Sequence, residues 1–231
     1  MKRQLGSVRR AVAERFGVDW YSRPSLHGIE DRLDQLFEGA RGGYFIEAGA
    51  FNGLAQSNTY WLERMRGWRG VLVEPVPQHF EACRARRRAT AVQAALVDSA
   101  HDGSPVTIRH AGLMSIVHGA QGSIEGDDAQ IAAGLAVQPG VETFEVQVPA
   151  RTLTNVLVEV NAPSTIGLLS LDVEGFEPQV LDGLDVGRFA PRFVLVEMNR
   201  PDEVDRWMTA NGYELVDGAF TMQDALYRRT T

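Results

Sequence analysis

Four acids stand where apolar runs end: Glu47 in YFIEA, Glu74 in GVLVEP, Asp172 in GLLSLD and Glu197 in RFVLVEM. Short runs rich in Val, Ile, Leu and Phe are expected to be buried strands. In an open parallel sheet, ligands bind beyond the carboxyl ends of the strands, so side chains that end successive strands share one rim. A single such acid is commonplace, because it can cap the helix that follows. Four together point to a polar ligand. Glu74 lies 74 − 47 = 27 positions after Glu47, comparable with the roughly 20 residues between a glycine loop and a ribose-binding acid in dinucleotide folds. That makes it the candidate acceptor of two ribose hydroxyls. The plainer alternative is that Glu74, which precedes Pro75, only ends its strand.

These acids need a scaffold, and the chain reads as one. Residues 42–53, GGYFIEAGAFNG, are expected to be a strand delivering a tight turn, and residues 54–64 a helix. A loop between a strand end and a helix N-terminus offers backbone N–H groups and the positive end of the helix dipole to a polar or anionic ligand. From Tyr44 onward, strand-like runs (44–48, 70–75, 91–97, 167–172, 192–198, 213–217, 224–229) alternate with helical patterns (54–64, 77–87, 153–160, 178–184, 202–211). This alternation predicts a parallel sheet covered by helices on both faces. Upstream, Leu5, Val8, Val12 and Phe16 share one face of a first helix, which can pack on the domain or on a partner subunit; Ile29, Leu33, Leu36 and Phe37 share a face of a second. We therefore expect a helical segment over 1–40 packed on a domain over 41–231. Residues 98–150 interrupt the rhythm. VTIRH and TFEVQVP within them look like strands, whereas the glycine-rich remainder has no clear period and reads as a lid or substrate-contacting excursion.

Composition narrows the function. A chain of 231 residues with 44% hydrophobic content can bury one substantial core. Its net charge of -7 and pI near 5.3 argue against general affinity for nucleic acid. The local run RARRR at 84–88 is expected to end a solvated helix. Cys83, the single cysteine, excludes an internal disulfide and a cysteine-rich zinc site and fits a reducing, cytoplasmic setting. No stretch approaches the roughly 20 apolar residues of a membrane span, so no membrane partner is expected.

The ordered series FIEAGAFNG, QSNTYWLERMRGWRGVLVEPVPQHFEACRARR, LLSLDVEGFEPQVLDGL and VLVEMN closely resembles the FkbM-type methyltransferases, over roughly residues 28–199. The resemblance implies a class I methyltransferase fold, Rossmann-like, α/β and doubly wound, with a mostly parallel seven-stranded sheet. It also implies S-adenosylmethionine as the methyl donor. Glu47, Gly49, Asn52 and Gly53 would line its methionine side, with Ser57 near its carboxylate, Glu74 on the ribose, and Ala94 and Ala95 beside the adenine. Family members often have Asp where Asn52 stands. Asp172 would take the cofactor ammonium, orient an acceptor hydroxyl or bind a metal. Glu177 reads as a first-turn partner of its helix dipole. A magnesium site would recruit Asp172, Glu197 and Asn199, although Met198 stands where a second acid or amide is common; ion-free positioning is the alternative. His118, His110 and Glu197 are candidate bases, with His118 carried over the methyl group by the excursion.

The expected activity is O-methyl transfer to a sugar or natural-product hydroxyl, by a cytoplasmic enzyme that can self-associate through its N-terminal helix. The rivals are a nicotinamide-type oxidoreductase or sugar-nucleotide enzyme, disfavoured by the absence of GxGxxG, and a non-catalytic binding protein on the same fold.

Overall fold

The computed structural model describes residues 2–138 and 140–230, with side chains from residue 8 onward. Its main sheet is built from alternation. Along β1 (Tyr44–Ala48), β2 (Arg69–Val73), β9 (Thr165–Leu171) and β10 (Ala190–Glu197), side chains point in turn to two separate apolar clusters. Ile46, Val71, Leu169 and Val194 are register partners and join one cluster. That cluster is covered by α6 (Leu153–Glu159), α7 (Glu177–Asp182) and α8 (Pro201–Ala210) through Leu157, Leu181 and Met208. Phe45, Leu72, Leu168 and Phe193 join the other, under α2 (Ile29–Leu36), α3 (Tyr60–Arg66) and α4 (Pro77–Arg86) through Leu33, Trp61 and Cys83. A sheet buried on both faces needs helices on both, and both are present.

The strand order is β11, β12, β10, β9, β1, β2, β3, where β3 is Thr90–Val92, β11 is Tyr213–Asp217 and β12 is Asp224–Arg229. Neighbours are parallel from β3 through β10; β12 is antiparallel to both β10 and β11, so the sheet is mostly parallel but mixed. The chain runs outward from β1 to β2 and β3, then crosses to β9 on the other side of β1. Connections therefore diverge at the carboxyl ends of β1 and β9, where a crevice opens.

Several expectations need correcting. The helix placed at 54–64 begins only at Tyr60, because residues 49–59 are spent on turns. The single strand expected over 91–97 is broken: β3 stays in the main sheet, whereas β4 (Ala95–Leu96) leaves it to pair with β8 (Ala150–Arg151). Residues 98–150 are no loose excursion. They hold a three-stranded antiparallel sheet of β6 (Ile116–Val117), β5 (Val106–His110) and β7 (Phe144–Val148), together with α5 (Ile124–Val137). Both strands read from sequence there are present. The helix escaped notice because Gly126, Gly134 and scattered alanines blur its period, although Ser123 caps it by accepting from the Gly126 N–H.

The N-terminal helix α1 (Lys2–Arg15) is present, and the side chain of Leu5 lies outside those described. Its apolar residues Val8, Val12 and Phe16 do not face the domain. No helix among the described residues is long and apolar enough to cross a membrane.

Candidate active site

The crevice is a cleft open to solvent, floored by the ends of β1, β2 and β9 and walled by the 98–150 insertion. Its floor depends on one close approach. Gly49 has φ of +83°, and a Cβ there would lie 1.7 Å from the Asp172 carbonyl oxygen, so only glycine lets the ends of β1 and β9 meet. Gly53, at φ +75°, sits over the Cys83 backbone beneath the loop. Phe51, Gln56 and Glu174, all cleft-lining, also hold left-handed backbone conformations, each costing of order 1–3 kcal/mol that the surroundings must offset.

Glu47 reaches the cleft wall, but its carboxylate is already committed. It accepts from Ser57 Oγ at 3.0 Å, the Asn58 N–H at 3.0 Å and Thr59 Oγ1 at 2.6 Å. It also pairs with Arg87 Nη1 at 3.1 Å. Arg87 comes from just past α4, and its side chain is fully buried. It binds the Gly53 carbonyl and Thr59 Oγ1 as well, and pairs with Glu63 at 3.2 Å. The basic run is thus divided: Arg84, Arg86 and Arg88 are exposed as expected, whereas Arg87 is the buried pin of the loop.

This arrangement also fills the site for an anionic ligand expected at the helix start. The Tyr60 N–H goes to Ser57 Oγ, and a carboxylate already occupies the start of α3. A second anion there would meet Glu47. Asn52 and Gly53 do not line the cleft; Asn52 Oδ1 accepts from the N–H groups of Leu54 and Ala55 at 3.1 and 2.9 Å and shapes the turn.

Glu74 is held differently. Its two oxygens accept one backbone N–H each, from Phe51 at 2.8 Å and Val76 at 2.9 Å, which fixes the carboxylate plane and leaves further lone pairs facing the cleft. Burial raises its pKa, against the pull of His79, whose Nδ1 lies 3.8 Å away, and of the two N–H groups. Ala94, Ala95 and Leu96 form the adjoining apolar wall with Ile108 and Val117 of the insertion. A run of ring contacts ties this wall to the loop: Phe51 to His79 at 4.3 Å, His79 to His110 at 5.0 Å and His110 to Phe144 at 4.5 Å. Burial, together with His79, pushes His110 down to about 4, so it is neutral at pH 7, and its Nδ1 is 2.9 Å from Ser115 Oγ.

At the opposite end lies a group of acids. Asp172, Glu174 and Glu197 each offer an oxygen, all within 4.8 Å of one another. Asp172 is exposed to the cleft yet enclosed by protein. Burial and the neighbouring Glu197 and Glu174 push its pKa well up. Burial and Glu197 raise Glu174 to about 8, and burial raises Glu197. No arginine, lysine or histidine among the described residues pairs with any of the three. Glu174 is steered by the insertion: Gln130 Nε2 donates to its carboxylate at 2.5 Å and Gln121 Nε2 to its carbonyl at 2.9 Å. Asn199 Nδ2 donates to Glu197 at 2.6 Å, so Asn199 acts on the group through that acid. Glu177 Oε1 accepts the N–H groups of Val173 and Gly175 at 3.1 Å, holding the turn that carries Glu174; its Oε2 is buried without a hydrogen bond.

The structure thus brings Glu47, Gly49, Ser57, Glu74, Ala94, Ala95 and Asp172 to the cleft, with Glu197 beside Asp172. It does not bring His118 there. That side chain is exposed and outside the lining, because the insertion is folded on its own sheet, with the His118 N–H bound to the Thr107 carbonyl. Glu174, Arg87, His79 and Gln130 were missed. Only Glu174 carried a signal, as a second acid two residues beyond Asp172 in the turn that follows β9.

Several solved structures share features of this fold. A TehB-like S-adenosylmethionine-dependent methyltransferase from Corynebacterium glutamicum is 9% identical, with 97% of this chain and 99% of that one covered and a TM-score of 0.47. An FkbM methyltransferase from Methylobacillus flagellatus is 10% identical over 96% and 59% of the two chains, with a TM-score of 0.45. A methyltransferase from Pyrococcus furiosus is 13% identical over 100% and 99%, with a TM-score of 0.44. No curated protein matches the sequence. The model of the methyltransferase FkbM domain matches residues 47–215, and that span holds the loop, Glu74 and all three clustered acids. The chain belongs to the FkbM methyltransferase family.

Proposed function

We propose that this methyltransferase moves a methyl group from S-adenosylmethionine to an oxygen of a small hydroxylated acceptor, a sugar or a natural product. The observation that carries the cofactor assignment is Glu74. An acid at the end of β2, oriented by two backbone N–H groups with lone pairs left over, suits a vicinal diol. The apolar wall of Ala94, Ala95, Leu96 and Ile108 suits a purine, and the glycine approach at Gly49 leaves room for the methionine portion. A dinucleotide fits worse, since the Asn58 and Tyr60 N–H groups at the start of α3 that would bind a pyrophosphate are already taken by Glu47 and Ser57 Oγ.

S-adenosylmethionine supplies an electrophilic methyl on its sulfonium. The protein supplies alignment and a place for the acceptor's proton. Asp172, Glu174 and Glu197 are the groups for that second task. A carboxylate raised to about 8 is a stronger base than an ordinary one and is partly ionised near neutral pH. The same three oxygens are a hard donor set that fits magnesium, and an ion there would supply the positive charge the group lacks.

Calorimetric titration of the full chain tests the reading. S-adenosylmethionine should bind, NAD should not, and Glu74→Ala should weaken the first by about 10–100-fold, the loss expected for hydrogen bonds to a charged acceptor. Binding of NAD instead, or affinity unchanged in Glu74→Ala, would sink it.

A further inference from the structure

The N-terminal helix is mounted inside out. Arg10, Ala13 and Glu14 face the domain, and the contacts they make are polar. Glu14 accepts from Ser22 Oγ at 2.7 Å and Tyr60 Oη at 2.8 Å and lies 3.5 Å from Arg64 Nε; the Arg10 guanidinium sits 5.6 Å from the Tyr60 ring centre. The opposite face carries Val8, Val12 and Phe16, one turn apart, so the stripe that would bury a surface helix points to solvent. Phe16 is 77% exposed, and in the turn that follows the helix Trp20 is 83% and Tyr21 55% exposed. These five large apolar side chains, exposed within fourteen residues, mark an interaction surface.

Charge selects the partner. The outward face over residues 8–16 bears Arg9 and Arg15, both exposed, and no acid; the helix's one acid, Glu14, is turned inward. Lys2 and Arg3 add to the same basic segment in sequence, in a chain whose net charge is -7. Two copies meeting through this stripe would bring like charges together. An anionic surface is attracted by Arg9 and Arg15.

We infer that α1 with the Phe16–Tyr21 turn is a docking surface for an anionic lipid bilayer. Val8, Val12 and Phe16 enter the headgroup boundary, Arg9 and Arg15 meet lipid phosphates, and Trp20 and Tyr21 sit at the interface, where amphipathic rings are favoured. The helix lies on the membrane and does not cross it. This revises the expectation that the chain meets no membrane and is independent of the reaction assigned to the cleft.

Flotation of the full chain with vesicles tests it, using phosphatidylcholine alone and phosphatidylcholine mixed with phosphatidylglycerol. The protein should float with the mixed vesicles only and be released by high salt. Phe16→Ser should lower the partition coefficient about tenfold through lost apolar burial. Arg9→Glu with Arg15→Glu should lower it at least about tenfold through lost attraction. Unchanged thermal unfolding of both variants would show that the fold is intact. Should Phe16→Ser unfold, Trp20→Ser serves in its place. No flotation, equal flotation with both vesicle types, or a light-scattering dimer that Phe16→Ser dissociates in a protein that ignores vesicles would each overturn the inference.

Discussion

Two carboxylate sites lie in the same cleft and are treated in opposite ways. Glu47 is buried, accepts from three side-chain or backbone donors besides Arg87, and has its charge met by that guanidinium. Asp172, Glu174 and Glu197 crowd one another with no cation among the described residues to compensate. An acid whose lone pairs and charge are satisfied by its own chain has little left for a ligand. Acids left in mutual repulsion can take up a proton or an ion with a net gain. Position at a strand end is common to both sites, so position by itself does not tell a structural acid from a chemical one.

The contrast can be broken from either side. Arg87→Met should have the largest effect: it leaves Glu47 buried without a counter-charge and Glu63 with only the longer Arg64 contact at 3.8 Å, and urea unfolding should show a loss of about 3–5 kcal/mol. A loss below about 1 kcal/mol would mean that the pair is not the pin of the loop. Next, Glu174→Gln should lower kcat about 10²-fold, by weakening proton acceptance, while leaving stability equal or higher because repulsion is relieved. An unchanged kcat would shift the base to Asp172 or Glu197.

A smaller effect is expected in the pH dependence of stability. Glu174 is raised from 4.5 to about 8, so between those values the folded state holds a proton that the unfolded state has lost. Stability is therefore fullest below the unfolded value and falls as pH rises through about 8. Thermal unfolding across that window should show the decline, and Glu174→Gln should flatten it. The smallest effect is His118→Ala, for which kcat/KM should stay within about twofold, as for an ordinary surface substitution; a tenfold loss would require the insertion to rearrange over the cleft.

Much of this was legible before any fold was known. Strand identities at 44–48, 106–110, 213–217 and 224–229 follow from local apolar runs, and the structure has strands at those residues. Gly49 was legible as a tight approach because a strand end followed by glycine needs a residue without a Cβ. What escaped depended on distant partners. Arg87 looked like one more cation in a solvated run, and its burial comes from Glu47 and Glu63 on other elements. The 98–150 insertion lacked a clear period because glycine and alanine fill α5, whose role rests on Gln130 reaching Glu174. The stripe Leu5, Val8, Val12 and Phe16 was legible as a helix face, but not the direction in which it points.

The sequence by itself determined most strands of the main sheet, most of the helices and the acids at the sheet's rim, because those follow from short-range periodicity and from chain order around a sheet buried on both faces. Tertiary structure alone decided which of those acids are neutralised and which face of α1 meets water. Charge compensation and burial are set by groups far apart in sequence, and only the folded chain brings Arg87 to Glu47, or Glu14 to Tyr60.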